Sequence, residues 1–155
     1  MNILFVCTGN TCRSPMAAAI MEKIAIENDL DVLIESAGLF AEVGQPATEN
    51  AIKALAEMGI DLTFHRTKPI TEELIEKSDL ILTMTAAHKE LLKPMAGGDV
   101  YTLKEYAGGS GDISDPYGGD LEEYEETARE IYDALVDVAE KIADIQNENT
   151  KNDEQ

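Results

Sequence analysis

The stretch from Ile3 to Pro15 carries an apolar run, Ile3-Leu4-Phe5-Val6, straight into Cys7, then through five residues to Arg13 and a Ser14-Pro15 pair. An apolar run of that length ending in turn-forming residues reads as a buried strand. Ser14 followed by Pro15 reads as an N-cap with proline at the first helical position. The chain is therefore committed to strand, tight loop and helix within its first turn of direction, the opening unit of a parallel α/β sheet. Gly9 and Asn10 are the residues of this loop that tolerate positive φ, so the backbone between Cys7 and Arg13 can wrap until its N–H groups converge on one point.

A ring of convergent amides at a helix N-terminus is a place for an anion. Thr8, Gly9, Asn10, Thr11 and Cys12 supply the amides, and Arg13 closes the ring with a planar fork that matches two oxygens of a phosphoryl group. Cys7 stands at the base, where the amides and the helix dipole are expected to lower its thiol pKa and favour the thiolate nucleophile. The phosphate loop of nucleotide-binding proteins, which ends in Gly-Lys-Ser/Thr, is absent. Read blandly, Cys7 is a small buried hydrophobe at a strand end and Arg13 a surface helix residue; the strand, loop and cap in one place favour the nucleophile.

Strands are expected at Asn2 to Cys7, Val32 to Ser36, Leu80 to Thr83 and Val100 to Thr102. Helical patterns separate them at Met16 to Asn28, Thr48 to Met58, Thr71 to Lys77 and Ala86 to Lys93, the last stopping before Pro94. The final helix repeats apolar residues at Leu121, Tyr124, Ala128, Ile131, Leu135, Val138, Ile142 and Ile145, with Asp120 and Glu123 as a capping pair. The fold class is accordingly α/β, one three-layer domain with a four-stranded parallel sheet and helices on both faces, flavodoxin- or Rossmann-like. Its ligand belongs beyond the carboxyl ends of the strands, where Cys7 lies. Residues 1–145 form the domain, and residues 146–155, without an apolar side chain after Gln146, are expected to be a disordered polar tail.

Composition narrows the chemistry. A chain of 155 residues is one ordinary domain that buries about two-thirds of its unfolded surface. No apolar run approaches the roughly eighteen residues of a membrane span, and no basic segment precedes the first apolar stretch, so a cytoplasmic protein is expected. Thirty-one acidic residues against twelve basic ones give a formal charge of −19, which argues against nucleic acid and anionic membranes as partners. Ten acidic residues between Asp120 and Asp144 face only Arg129 and Lys141, read as a solvated helix face or, more sharply, as a surface for basic proteins. The apolar stripe of that helix reads as packing on its own sheet, hence a monomer. Cys7 and Cys12 are the two cysteines, too few for a structural metal site. Five apart in a tight loop, they can form a reversible disulfide; equally, Cys12 can be a buried packing residue.

Expelling a leaving group from phosphorus needs a proton donor across the pocket. Asp115, in Asp115-Pro116-Tyr117-Gly118-Gly119, is the candidate, because Pro116 restricts the backbone where an aimed carboxyl needs it. Cys7-x5-Arg13-Ser14 near the N-terminus together with Asp115-Pro116-Tyr117 near the C-terminus resembles the low-molecular-weight protein tyrosine phosphatases. Ser36-Ala37-Gly38 and His65 also match positions familiar from that family, and the resemblance covers about residues 1–145. It implies a double displacement with no metal and no cofactor: Cys7 attacks phosphorus, Arg13 and the amides hold the oxygens, and Asp115 protonates the leaving atom, then activates water. It further implies that Asn10, Ser14, Ser36 and His65 support the loop and that a Cys7 to Cys12 disulfide protects the nucleophile. Tyrosine-specific members carry a bulky aliphatic residue where Thr11 stands here, and commonly an aliphatic one at Thr8. A polar wall suits the donors of a phosphorylated guanidinium better than a phenyl ring. The loop Cys7-Thr8-Gly9-Asn10-Thr11-Cys12-Arg13-Ser14 thus resembles the bacterial protein-arginine phosphatase branch, with Phe40 and Tyr117 as candidate pocket walls and phosphorylated, basic protein segments as partners. Phosphotyrosine hydrolysis is the second reading, and a non-enzymatic phosphate-binding or acidic scaffold module the remote one.

Overall fold

The computed structural model describes residues 1–97 and 99–153. Four strands, β1 (Asn2–Cys7), β2 (Leu33–Gly38), β3 (Leu80–Thr83) and β4 (Val100–Thr102), form one parallel sheet in the order β2-β1-β3-β4. The alternation along β1 divides the core. Ile3, Phe5 and Cys7 point to one face, with Met16, Ile20, Leu135 and Ile142, whereas Leu4 and Val6 point to the other, with Leu74, Ile81 and Leu92. Helices α1 (Arg13–Glu27), α2 (Glu49–Glu57), α5 (Leu103–Tyr106) and α6 (Leu121–Asp153) cover the first face; α3 (Glu72–Lys77) and α4 (Ala86–Ala96) cover the second. This is the expected single α/β domain of three layers. Among the described residues no helix is long and apolar enough to cross a membrane.

The departures are local and each has a cause. α1 begins at Arg13 rather than after Ser14: its N-cap is Cys12, which makes no side-chain cap bond, because the Ser14 hydroxyl turns inward to the site. β2 runs on to Gly38, two residues beyond expectation, since Ala37 and Gly38 pair in register with Val6 and Cys7. Pro94 does not end α4, which continues to Ala96 and closes on Gly97 at φ 59°. A proline so near the C-terminus forfeits one hydrogen bond of the last turn, and the fully buried Leu92 anchors the helix regardless. The short α5, capped by the Thr102 side chain accepting from Glu105 N–H, escaped the sequence reading.

The tail expectation is also corrected as far as Asp153, because α6 remains helical through that residue. Gln146 explains how it continues: its amide donates to Asp31 O at 3.0 Å and its Oε1 accepts from Asp31 N–H at 3.2 Å, tying the helix to the turn before β2. Glu154 and Gln155, the end of the predicted tail, lie outside the described residues. Of the expected capping pair at the start of α6, one half forms, Asp120 Oδ1 accepting from Glu123 N–H at 3.0 Å.

Candidate active site

Parallel strands leave a crevice beyond their carboxyl ends, and the β1 to α1 loop sits in it. Cys7 ends β1 almost fully buried, and Asn10 takes the left-handed conformation at φ 59°, the turn that lets the loop wrap. Gly9, expected to share that role, stays out of the left-handed region. The loop is held from beneath by Asn10. Its Nδ2 donates to Ser14 Oγ at 2.8 Å and Ser36 Oγ at 3.0 Å, while its Oδ1 accepts from Lys68 N–H at 3.1 Å. His65 Nε2 lies 2.7 Å from the Asn10 carbonyl oxygen, and burial keeps this imidazole below its usual pKa of 6.5. The residues that sequence reading placed under the loop, Asn10, Ser14, Ser36 and His65, are thus brought together in space.

Ser14 Oγ lies 2.8 Å from Cys7 Sγ. The sulfur also faces the backbone N–H groups of Ser14 and Asn10 and the charge of Arg13, all of which favour the thiolate. Burial opposes them and prevails, pushing the Cys7 thiol above its ordinary 9.0. The expected lowering is therefore corrected: the donors are in place, but a cysteine 3 % exposed loses more hydration than they return.

Arg13 is equally buried at 6 % exposure. Its Nη1 donates to the Ile113 carbonyl at 3.2 Å, and its Nη2 lies 3.5 Å from Asp115 Oδ2. The other carboxylate oxygen, Oδ1, accepts from Tyr117 N–H at 3.1 Å, the turn that Pro116 presets. The candidate acid and arginine, 102 positions apart in sequence, meet at the rim of one cavity of about 360 Å³. Cys7, Thr8, Gly9, Thr11 and Cys12 line it, with Phe40 and Tyr117 on its flanks. Both aromatics are 73 % exposed, so they stand at the mouth rather than in the core.

Sequence reading missed Glu42, Gln45 and Thr67, which also line the cavity; they come from loops without a periodic signal. Gly38 enters the sequence reading only as part of a matching motif, without its steric reason. A Cβ there would lie 2.6 Å from Thr8 O and 2.9 Å from Asn10 N, so the strand end can approach the loop only as glycine. His88 on α4, 2.8 Å from Thr8 Oγ1, is separated by 80 residues from its partner and left no local trace. Cys12 is a free thiol, its sulfur 3.3 Å from Tyr124 Oη and 3.6 Å from Thr48 Oγ1, and Cys7 is free too. A larger cavity of about 700 Å³ opens at the opposite end of the sheet, near Asn2 and Leu33, and holds none of these groups.

A model of the family described as low molecular weight phosphotyrosine protein phosphatase matches residues 2–150. The chain is 46 % identical over 146 residues to the protein-arginine-phosphatase of Bacillus subtilis, covering 92 % of this chain and 97 % of that one. It is 40 % identical over 147 residues to the low molecular weight protein-tyrosine-phosphatase PtpB of Staphylococcus aureus, covering 94 % and 99 %. Its fold superposes with a TM-score of 0.89 on the YwlE arginine phosphatase, solved as a cysteine-to-serine mutant with a phosphorylated active-site serine, at 44 % identity over 92 % of this chain and 96 % of that one.

Proposed function

The chain belongs to the low molecular weight phosphotyrosine protein phosphatase family, and from that membership we propose that it hydrolyses phosphoarginine in proteins through a cysteinyl-phosphate. The observation that carries the choice of substrate is the slot wall: Thr8 and Thr11 line the cavity beside the sulfur. A guanidinium has only donors to offer, and an aliphatic wall would strand them. The similarity to the Bacillus subtilis arginine phosphatase supports the same reading.

In the proposed reaction, Cys7 Sγ attacks phosphorus in line as the P–N bond breaks. The buried Arg13 fork and the loop amides hold the three equatorial oxygens, where negative charge concentrates in the transition state. Asp115, in its acid form, gives its proton to the departing guanidine nitrogen. The resulting carboxylate takes a proton from the water that attacks phosphorus next, the P–S bond breaks, and inorganic phosphate leaves. Each charge is met by a side chain or a backbone amide of this chain, so the scheme calls on no metal ion. The thiol proton passes to an oxygen of the incoming phosphoryl dianion, so that Sγ attacks as the thiolate. Ser14 Oγ, in contact with both Sγ and Asn10, is the group placed to stabilise the sulfur once it is ionised.

Phosphorylated segments rich in basic residues are the proposed targets, since a chain of formal charge −19 draws them in. In this reading the protein works as a cytoplasmic monomer. Hydrolysis of phosphotyrosine is favoured by a different observation, the two aromatic side chains Phe40 and Tyr117 at the cavity mouth. Phosphate release from paired phosphoarginine and phosphotyrosine peptides separates the readings. Wild type is expected to favour phosphoarginine, Cys7→Ser to lose turnover, and Thr11→Ile to move selectivity toward tyrosine by at least about tenfold. A wild-type preference for the tyrosine peptide, or a selectivity that ignores Thr11→Ile, overturns the arginine assignment.

A further inference from the structure

Behind the slot wall stands a buried polar group that the reaction above does not use. His88 is the third residue of α4, and its backbone N–H donates to the capping Thr85 Oγ1 at 3.1 Å. The residue is 6 % exposed, with Nε2 2.8 Å from Thr8 Oγ1 and Nδ1 buried without a hydrogen-bond partner among the described residues. An imidazole kept for packing alone would be a costly choice, because its polar atoms lose water and regain one contact. That one contact is the hydroxyl of the residue following the nucleophile.

Thr8 opens to the cavity while His88 lies in the protein, so the hydroxyl is clamped between substrate and ring. Left free, a threonine hydroxyl can either donate or accept. A guanidinium needs acceptors only. If the Thr8 hydroxyl donates its hydrogen bond to Nε2, the lone pairs of Oγ1 remain for an N–H of the substrate. Burial and the neighbouring Arg13 hold the ring below its usual pKa of 6.5, against a weaker pull from Asp112 and Asp115, which keeps it neutral; in the tautomer protonated at Nδ1, Nε2 is the acceptor.

The geometry points to His88 as a positioning residue for phosphoarginine, one that accepts a hydrogen bond from the Thr8 hydroxyl and so fixes Thr8 as a hydrogen-bond acceptor on the slot wall. This rests on the arginine reading. It adds that the selectivity of the loop is set partly from α4, 80 residues away. A phosphotyrosine side chain, whose ring has no donor to place against Thr8, does not draw on the device.

The test is the ratio of kcat/KM for a phosphoarginine peptide to that for a phosphotyrosine peptide, with folding followed by thermal melting. His88→Phe keeps a ring of similar size without the acceptor and should lower the ratio about tenfold, the worth of one hydrogen bond to a charged group. His88→Gln, whose amide oxygen can accept, should restore most of it. Thr8→Val should lower the ratio alike, and adding His88→Phe to Thr8→Val should change it no further. An unmoved ratio in His88→Phe, or additive losses in the double variant, overturns the role of His88 while leaving phosphoarginine as substrate. If His88→Phe does not fold, His88→Leu is compared with His88→Gln in its place: a ratio kept by Gln and lost by Leu supports the role, and equal ratios overturn it. A wild type that prefers the phosphotyrosine peptide removes the substrate assignment itself, and this role with it.

Discussion

Ser14 shows how one side chain can serve chemistry at the expense of local structure. A serine ahead of proline would ordinarily cap the helix it begins, worth about 1 kcal/mol. Here α1 starts without a side-chain cap, and the hydroxyl is spent on Cys7 Sγ at 2.8 Å. Among the groups that draw the thiol pKa down, this hydroxyl is the largest, followed by the Ser14 and Asn10 amides and then Arg13. Burial still wins, so alkylation of Cys7 by iodoacetamide should accelerate as pH rises past the ordinary thiol value of 9.0 rather than level off near neutrality. Ser14→Ala removes the strongest opposing contact and should move that profile to still higher pH. A Ser14→Ala profile that coincides with wild type, measured by mass spectrometry of the labelled peptide, would remove Ser14 from the role of thiolate support. Phosphate turnover of Ser14→Ala should fall by about two to three orders of magnitude, as for loss of one oxyanion donor.

At the scale of elements, the site depends on how closely β2 can lie against the β1 to α1 loop. Gly38 accepts a bond from Ile70 N–H at 2.9 Å and donates to Lys68 O at 3.0 Å, which fixes its backbone while Thr8 O and Asn10 N press on its missing side chain. Gly38→Ala would place a methyl within 3.0 Å of two backbone atoms of the loop and of Ala41 Cβ, none of which is a flexible side-chain end. Denaturant unfolding should show a loss of about 1 to 3 kcal/mol, the usual cost of forcing a methyl into a packed place. kcat/KM should drop about a hundredfold, because an ångström of displacement in a catalytic loop has that effect. A variant with wild-type turnover would mean that the loop gives way without consequence. The strands and most helices were legible because burial imposes period 2 or 3.6 on local sequence, as in β1 and α6. Gly38 matched a motif, but its steric reason, like the ring of His88 behind Thr8, exists only once distant segments meet. Pro94 inside α4 and the helical run from Gln146 to Asp153 misled for the opposite reason: local breaking or polar character was overridden by Leu92 in the core and by the Gln146 pairing with Asp31.

Over the whole molecule, charge and site pull in opposite directions. The proposed reaction requires an anion, yet the chain carries a formal −19, and Arg13, the one guanidinium lining the cavity among the described residues, already lies 3.5 Å from Asp115. A free phosphate compound is therefore repelled at long range and attracted only within the loop, where amides and Arg13 act over a few ångströms in low dielectric. The net result should be selection by the residues around the phosphoryl group rather than by the group itself. Raising sodium chloride from about 20 to about 300 mM shortens the screening length from roughly 20 Å to under 10 Å. A phosphoarginine peptide flanked by lysines should then lose kcat/KM several-fold as steering is screened, whereas one flanked by glutamates should gain. The loop contacts, being short and buried, survive that change, so kcat should stay nearly constant for both. Parallel salt dependence for the two peptides would mean that the acid surface is a solvated coat with no part in choosing substrates.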